Sequence, residues 1–334
     1  MTLYLYGVIA HDSPVNFGPV GFDGATVAAL PQGDLAAVIG HPPRGDLKQG
    51  TREELVKRLL AHQQTLEQIM KKFFVLPFRF GTTVADEPEL AKVLEEKRSF
   101  LSDLIGKMRD CSEIDLLATW EVPKILQEIS EEDPEIAAFK REIAQGRGDK
   151  ISIGMLLAEA LKKKGDQWRD VITTDLKVHA NGVAHHDLLN DEMVLNSSFL
   201  ISRNKEADFF RRIEEADHEF KQRLCFKCVG PLPPYSFSTL SLRRFDPVAI
   251  RGAADLLHLN GRIDLSRLKK TYKELSIARH PDTNPGLDPT AFEQLNQAYR
   301  LLSDYCEEGP RSLENAEIEG YVKLQQMQVP ETPR

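Results

Sequence analysis

The sequence predicts an α+β protein, two α+β domains followed by a small all-α helical hairpin, and three observations carry that prediction. Residues 1–111 set alternating, β-prone runs beside long amphipathic helices. Residues 112–245 read strand, helix, strand, strand, helix, strand, with extra helical sequence after the first strand. Residues 264–304 read as two amphipathic helices joined by a loop. The domains are placed at 1–111, 112–245 and 246–306, with a tail at 307–334 that carries a helix near Ser312 to Met327.

In the first domain, residues 2–9 (TLYLYGVI) alternate and form a strand. Gly- and Pro-rich turns follow through Gly24, and residues 27–30 and 35–39 form a hairpin about Pro31-Gln32-Gly33-Asp34. Thr51-Arg52-Glu53-Glu54 is a capping box opening a helix over 51–72, supported by Leu55, Leu59, Leu66, Ile69 and Met70. Residues 73–80 (FFVLPFRF) read as a buried strand whose proline suggests an edge or bulge. A further helix is predicted from Glu87 to Met108.

In the second domain, strands are predicted at 114–122, 176–184, 193–202 and 223–229. Helices are predicted over 123–150, 153–175 and 205–222. This is the order of a ferredoxin-like split unit carrying a helical insertion.

The hairpin has the clearest signals. Leu265, Leu268, Tyr272 and Leu275 make one apolar stripe, and Phe292, Leu295, Tyr299 and Leu302 make the other. Asp264 caps the first helix, and Pro281 forces His280 out of helical dihedrals, so the helix stops before His280-Pro281-Asp282. Asn284-Pro285-Gly286 continues the loop, and Asp288-Pro289 caps and opens the second helix. With Leu268-x-x-x-Tyr272-x-x-Leu275 and Phe292-x-x-Leu295-Asn296-x-Ala298-Tyr299-x-x-Leu302-Ser303-Asp304, the stretch resembles the J domain of the DnaJ co-chaperones. Residues 253–257 stand where that family has its short first helix. The resemblance implies that His280, Pro281 and Asp282 stimulate ATP hydrolysis by a DnaK-type chaperone. It also implies that Arg267, Lys269, Lys270, Lys273 and Arg279, set against a single Glu274, dock on an acidic groove there. Lys269 and Lys273 are like charges four apart, a cost of a few tenths of a kcal/mol on an isolated helix. A solvated helix face is the alternative for the charges taken alone.

The preceding chain resembles the gas vesicle GvpF/GvpL family over about residues 1–245. The blocks are Tyr4-x-Tyr6-Gly7, residues 75–82 (VLPFRFGT), Ile151-Ser152-Ile153-Gly154, residues 194–201 (VLNSSFLI) and residues 230–237 (GPLPPYSF). The resemblance implies two α+β domains and a part in building gas vesicles in the cytoplasm. The implied partners are the small hydrophobic shell protein GvpA and other accessory Gvp proteins. Gly230, Pro231, Pro233, Pro234, Tyr235 and Phe237 form either an exposed docking surface or a rigid interdomain connection. The usual burial of aromatic area favours the second.

Other chemistry is not expected. The net charge of −8 sets up no basic field for nucleic acid. The segment MTLYLYGVIA is not read as a signal peptide, and no stretch reads as a membrane span. Four cysteines (Cys111, Cys225, Cys228, Cys306) suit a reducing cytoplasm. Cys225-x-x-Cys228 lies on a strand, whose alternation sends its two thiols to opposite faces, and a structural zinc takes four ligands. His179, His185, His186 and Asp187 surround an Asn181-Gly182 turn signal and read as surface hairpin residues, not metal ligands. Gly146-Arg147-Gly148-Asp149 reads as a linker, and no phosphate loop, nucleophile elbow or HExxH is found. No catalytic residue, metal or cofactor is therefore predicted. The expected function is a gas vesicle assembly accessory protein with a chaperone-recruiting module. The alternatives are a structural vesicle component whose hairpin only packs, and a metal enzyme built on the His179–Asp187 cluster.

Overall fold

The computed structural model describes residues 1–43, 45, 49–145, 149–221, 223–279 and 289–327. Two compact units emerge, Met1–Ser241 and Leu242–Gln325, with Gln326 and Met327 rejoining the first.

The first unit opens with β1 (Leu3–Ile9), β2 (Val15–Gly18), β3 (Val27–Gln32) and β4 (Leu35–Gly40). Then come α1 (Arg52–Met70), β5 (Leu76–Pro77), β6 (Thr83–Val84), α2 (Glu87–Glu96) and α3 (Arg98–Met108). The strands form one sheet in the order β2-β3-β4-β1-β5, with β6 also on β1. β1 is buried along its whole length, as befits the central strand. α1 starts at the reciprocal cap of Thr51 and Glu54 and buries Leu66 and Ile69 against Tyr4, Tyr6 and Val38.

The unit continues with β7 (Cys111–Thr119), α4 (Val122–Glu132), α5 (Pro134–Ala144), α6 (Lys150–Lys177) and β8 (Gly182–His185). β9 (Met193–Ser202), α7 (Glu206–Glu219), β10 (Cys225–Leu232), α8 (Tyr235–Ser238) and β11 (Thr239–Arg244) follow. The second sheet runs β10-β7-β9-β8 with every neighbour antiparallel. That is the split β-α-β-β-α-β arrangement, with α4 and α5 as the insertion. Ile114, Leu116 and Ala118 of β7 share a core with Ile172 and Leu176 of α6 and Phe209 and Ile213 of α7.

Several expectations need correcting. The helix over 87–108 is two helices: Lys97 falls where the apolar stripe would continue, and its backbone leaves the helix at φ −110°, ψ 9°. The break lets Leu90, Val93 and Leu94 of one helix and Leu101, Leu104 and Ile105 of the next all bury their side chains. The strand expected at 176–184 shrinks to β8, because Leu176 is the last buried position of α6 while Val178 is 74% exposed. Helical period overrides the local alternation. The strand expected at 73–80 shortens to Leu76 and Pro77 in register with β1; the next residue, Phe78, donates its N–H to Tyr6 O at 2.8 Å and forms a parallel bridge with Leu240. β2 lies in what reads as turns.

The second unit holds α9 (Pro247–Leu256), β12 (Arg262–Ile263), α10 (Leu265–Arg279), α11 (Pro289–Tyr305), β13 (Arg311–Ser312), α12 (Asn315–Glu319) and β14 (Val322–Met327). Its core joins Ile250, Ala253 and Leu257 of α9 to Leu268, Leu295 and Leu302, with Tyr272, Leu275 and Tyr299 packed alongside. Leu313, Ile318 and Tyr321 belong to the same core. The helix expected near 312–327 is therefore only α12, which stops at Gly320; the flanking residues form the strands β13 and β14. Asp304 at the end of α11 receives Lys323 Nζ at 2.6 Å and Arg243 Nη1 at 2.5 Å. Lys323 is 4% exposed; burial works to lower its pKa, but its hydrogen bonds to Asp304 and Glu307 prevail and raise it.

Leu295 is fully buried on the helix seam, so Leu295→Ala is expected to destabilise the second unit by about 2–5 kcal/mol. Urea unfolding monitored by circular dichroism measures the loss.

Candidate functional site

Asp264 caps α10 through a 2.8 Å hydrogen bond from Arg267 N–H. The seam side is locked by Tyr272, whose hydroxyl donates to Asn296 Oδ1 at 2.5 Å and whose ring stacks on Tyr299 at 4.1 Å. The side chains of Lys269, Lys270 and Lys273 are exposed on the other side. Arg267 plays a structural part, since its guanidinium donates to Asn260 O and Arg262 O, each at 3.0 Å, and to Asn260 Oδ1. It thereby holds the turn before its own helix. His280, Pro281 and Asp282, with the expected cap Asp288, lie outside the described residues.

The segment from Gly230 to Phe237 joins the two sheets of the first unit. Gly230 and Pro231 are exposed, Pro233 and Pro234 are buried, and Tyr235 and Phe237 are half-buried. A Cβ on Gly230 would stand 2.9 Å from Glu113 O, so only glycine fits there. Tyr235 packs into the core of the first sheet, and a Cβ on Gly182 would stand 3.1 Å from the Phe237 ring. Just beyond, Arg79 N–H donates to Leu240 O at 2.7 Å.

Beneath this segment lies a polar cluster on the sheet face away from the α6–α7 core. Glu113 and Asp115 occupy alternate positions of β7, and Asp115 is the register partner of Ser198 on β9. Glu113 is 1% exposed; its carboxylate accepts from Ser236 N–H at 2.7 Å and Ser236 Oγ at 2.8 Å. Ser198 Oγ donates to Asp115 Oδ1 at 2.5 Å and meets Ser236 Oγ at 2.9 Å. His186 Nε2 stands 2.8 Å from Ser198 Oγ and 3.4 Å from Ser236 Oγ. Burial, then the charge of Asp115, pushes Glu113 up to about 8, against the two bonds from Ser236. The Tyr235 phenol is also raised, by burial and then by Glu67 and Glu113.

These residues were not among the sequence-predicted sites. Their signal is two carboxylates two apart within a largely buried strand. His186, read as a surface residue, turns into the cluster, whereas His185 is exposed and meets Ser197 Oγ at 2.9 Å. The wiring is not that of a hydrolytic triad, in which a carboxylate orients the histidine. Here Asp115 accepts from serine, and no carboxylate accepts from His186 among the described residues. Cys225 is exposed while Cys228 packs on the core, and no grouping of three or more His, Cys, Asp or Glu suits a metal among the described residues.

The first sheet has its own polar anchor. Gly81 N–H donates to Tyr4 Oη at 3.1 Å, Tyr4 O–H donates to His62 Nδ1 at 2.9 Å, and His62 Nε2–H donates to Phe78 O at 3.2 Å. Burial lowers His62 to about 4. Gly7 is required because a Cβ there would lie 2.4 Å from Val75 Cγ2 and 2.7 Å from Leu76 O.

Two opposite pH trends follow. Between the ordinary carboxylate range and about 8, the native state keeps a proton on Glu113 that the unfolded chain has lost, so its contribution falls as pH rises. Glu113→Gln, which can still accept from Ser236 N–H and donate to its hydroxyl, should flatten the loss of stability between roughly pH 5 and 8 in urea titrations. His62 acts in reverse: unfolded histidine takes up a proton below about 6.5 that the buried ring refuses until about 4, so its contribution is lost over that fall in pH. In urea titrations of wild type and His62→Gln, the stability of wild type relative to the variant should fall as pH drops from about 6.5 to about 4.

The family model for the gas vesicle synthesis protein GvpL/GvpF matches residues 2–239, and the DnaJ domain model matches residues 255–307. Gas vesicle protein F of Nostoc sp. is 26% identical over 246 residues, covering 72% of this chain and 98% of that protein. The crystal structure of GvpF from Anabaena sp. superposes with a TM-score of 0.60 at 25% identity, covering 70% of this chain and 97% of the other. Chaperone protein DnaJ of Aliarcobacter butzleri is 38% identical over 52 residues, 15% of this chain and 14% of that one. The sheets, the junction that joins them and the helical seam that follows them in the sequence thus have a common explanation: this chain belongs to the GvpL/GvpF gas vesicle synthesis family and carries a DnaJ domain after it.

Proposed function

We propose that the protein is an accessory factor for gas vesicle assembly in the cytoplasm, acting by contact and not by catalysis. Its first unit binds the vesicle shell protein GvpA or another accessory Gvp protein, and its DnaJ domain brings a DnaK-type chaperone to that client. The observation that supports this most is the union of the two family matches, residues 2–239 and 255–307, in one polypeptide. Joining two binding modules by a short connection raises the effective concentration of one beside the other, to the order of mM for short flexible links. The client problem is physical. A strongly apolar shell subunit exposes patches and strand edges before assembly, and a chaperone held nearby suppresses their aggregation.

The side chains of Lys269, Lys270 and Lys273, exposed on α10, supply the cationic surface for the chaperone; Arg267, tied to the preceding turn, contributes by positioning that helix. A second reading, that the domain only packs, draws on the way Leu313, Ile318 and Tyr321 extend its core beyond the matched span. Recovery of vesicle proteins without DnaK in a pulldown would favour it.

His280→Gln should leave the circular dichroism spectrum unchanged and reduce stimulation of DnaK ATP hydrolysis to the basal rate. Undiminished stimulation by this variant sinks the recruitment model.

A further inference from the structure

We propose that the cleft between the end of α1, the turn joining β3 to β4, and α3 binds an acidic-apolar peptide segment of a partner: a carboxylate side chain flanked by large apolar residues. The cleft has a volume of about 410 Å³, within the range of formed ligand sites.

Helix α3 and its C-cap residue turn Ser102, Gly106 and Arg109 toward it, residues four and three apart that share one side of the helix. Glycine inside a helix is less favourable than alanine, and nothing lies within 4 Å of the position a Cβ on Gly106 would take. Packing therefore does not demand glycine there. What the missing side chain preserves is the room of the cleft. One turn earlier, Ser102 Oγ is buried with no hydrogen-bond partner among the described residues. An incoming carboxylate or carbonyl oxygen would satisfy that donor.

The rest of the lining sets the chemistry of the ligand. Phe73 and Phe74 form a half-buried aromatic wall, and Lys72 and Arg109 stand exposed at the rim. Asp34 also lines the cleft, but Arg98 Nε faces it at 3.6 Å and the same guanidinium holds Glu95 at 2.7 Å. Arg109 meets Asp110 at 3.7 Å, with side chains 68% and 86% exposed. So loose a surface pair yields readily to a better-placed anion. On a chain of net charge −8, the lining itself carries two cations, Lys72 and Arg109, against one carboxylate, Asp34. Cations beside an aromatic wall select a negative group carried next to an apolar one, which a short peptide segment supplies and a small inorganic anion does not.

This inference rests on the reading of the first unit as a contact module and is independent of the DnaJ domain. The test titrates the full chain into a fluorescein-labelled nonapeptide with phenylalanine-glutamate-leucine at its centre and glycine and serine elsewhere, read by anisotropy. Saturable binding is expected, weakened at least roughly tenfold by Gly106→Leu, by the pair Lys72→Glu and Arg109→Glu, and by glutamine in place of the peptide's glutamate. Gly106→Leu introduces a better helix former into open space, so loss of binding in that variant is not loss of fold. No saturable binding, unchanged binding by Gly106→Leu, or equal competition by free 3-phenylpropionate overturns the proposal. Where peptide binding fails but the chain still co-purifies with vesicle proteins, the cleft assignment falls while the accessory role stands.

Discussion

One carboxylate governs how the two sheets of the first unit meet. Glu113 is almost without solvent contact and receives both its hydrogen bonds from Ser236. A buried ionisable group left unpaired costs more than a neutral one, and the neutral donor loss alone is about 1–3 kcal/mol. Strand β7 therefore needs the segment from Gly230 to Phe237 in one place. That placement in turn seats Tyr235 in the first core, lays Phe237 against Gly182, and brings Leu240 to Phe78. The prolines are consistent with this role, since a chain with few accessible conformations loses less entropy on docking.

The second unit divides its work between two sides of one helix. Leu268 and Tyr272 commit α10 to the seam, while the side chains of Lys269, Lys270 and Lys273 remain in solvent. Arg267 belongs to neither set, because its donors are spent on the turn at Asn260 and Arg262. At the end of α11, Asp304 binds Arg243 from the chain before the domain and Lys323 from the chain after it. Both flanks thereby help hold the helix.

Nothing in the arrangement of Ser198, His186 and Asp115 is wired for nucleophilic attack, and its hydrogen bonds serve to hold strands and loop together. Polar groups inside this unit are structural: Glu113 at the junction, and His62 beneath the Tyr4 and Gly81 segments. The contacts proposed for this protein fall on surfaces, an exposed side of α10 in one unit and an aromatic cleft rimmed by Lys72 and Arg109 in the other.

Local signals were legible in the sequence because short-range physics decides them. Thr51 and Glu54 cap a helix wherever it lies, Asp264 does the same for α10, and the stripes through Leu268 and Leu295 declare a helical seam. The strand read at Met193 to Ser202 matches β9 to the residue. Tertiary contacts decided the rest. Leu176 belongs to a helix because its core neighbours lie at helical spacing, and Phe78, still bonded to Tyr6 O of β1, also bridges to Leu240 more than one hundred and fifty residues away. The meeting of Ser236 with Glu113 and His186 spans separations of 123 and 50 residues. No local propensity encodes such a meeting; it exists only once the sheet is formed and the loop has closed over it.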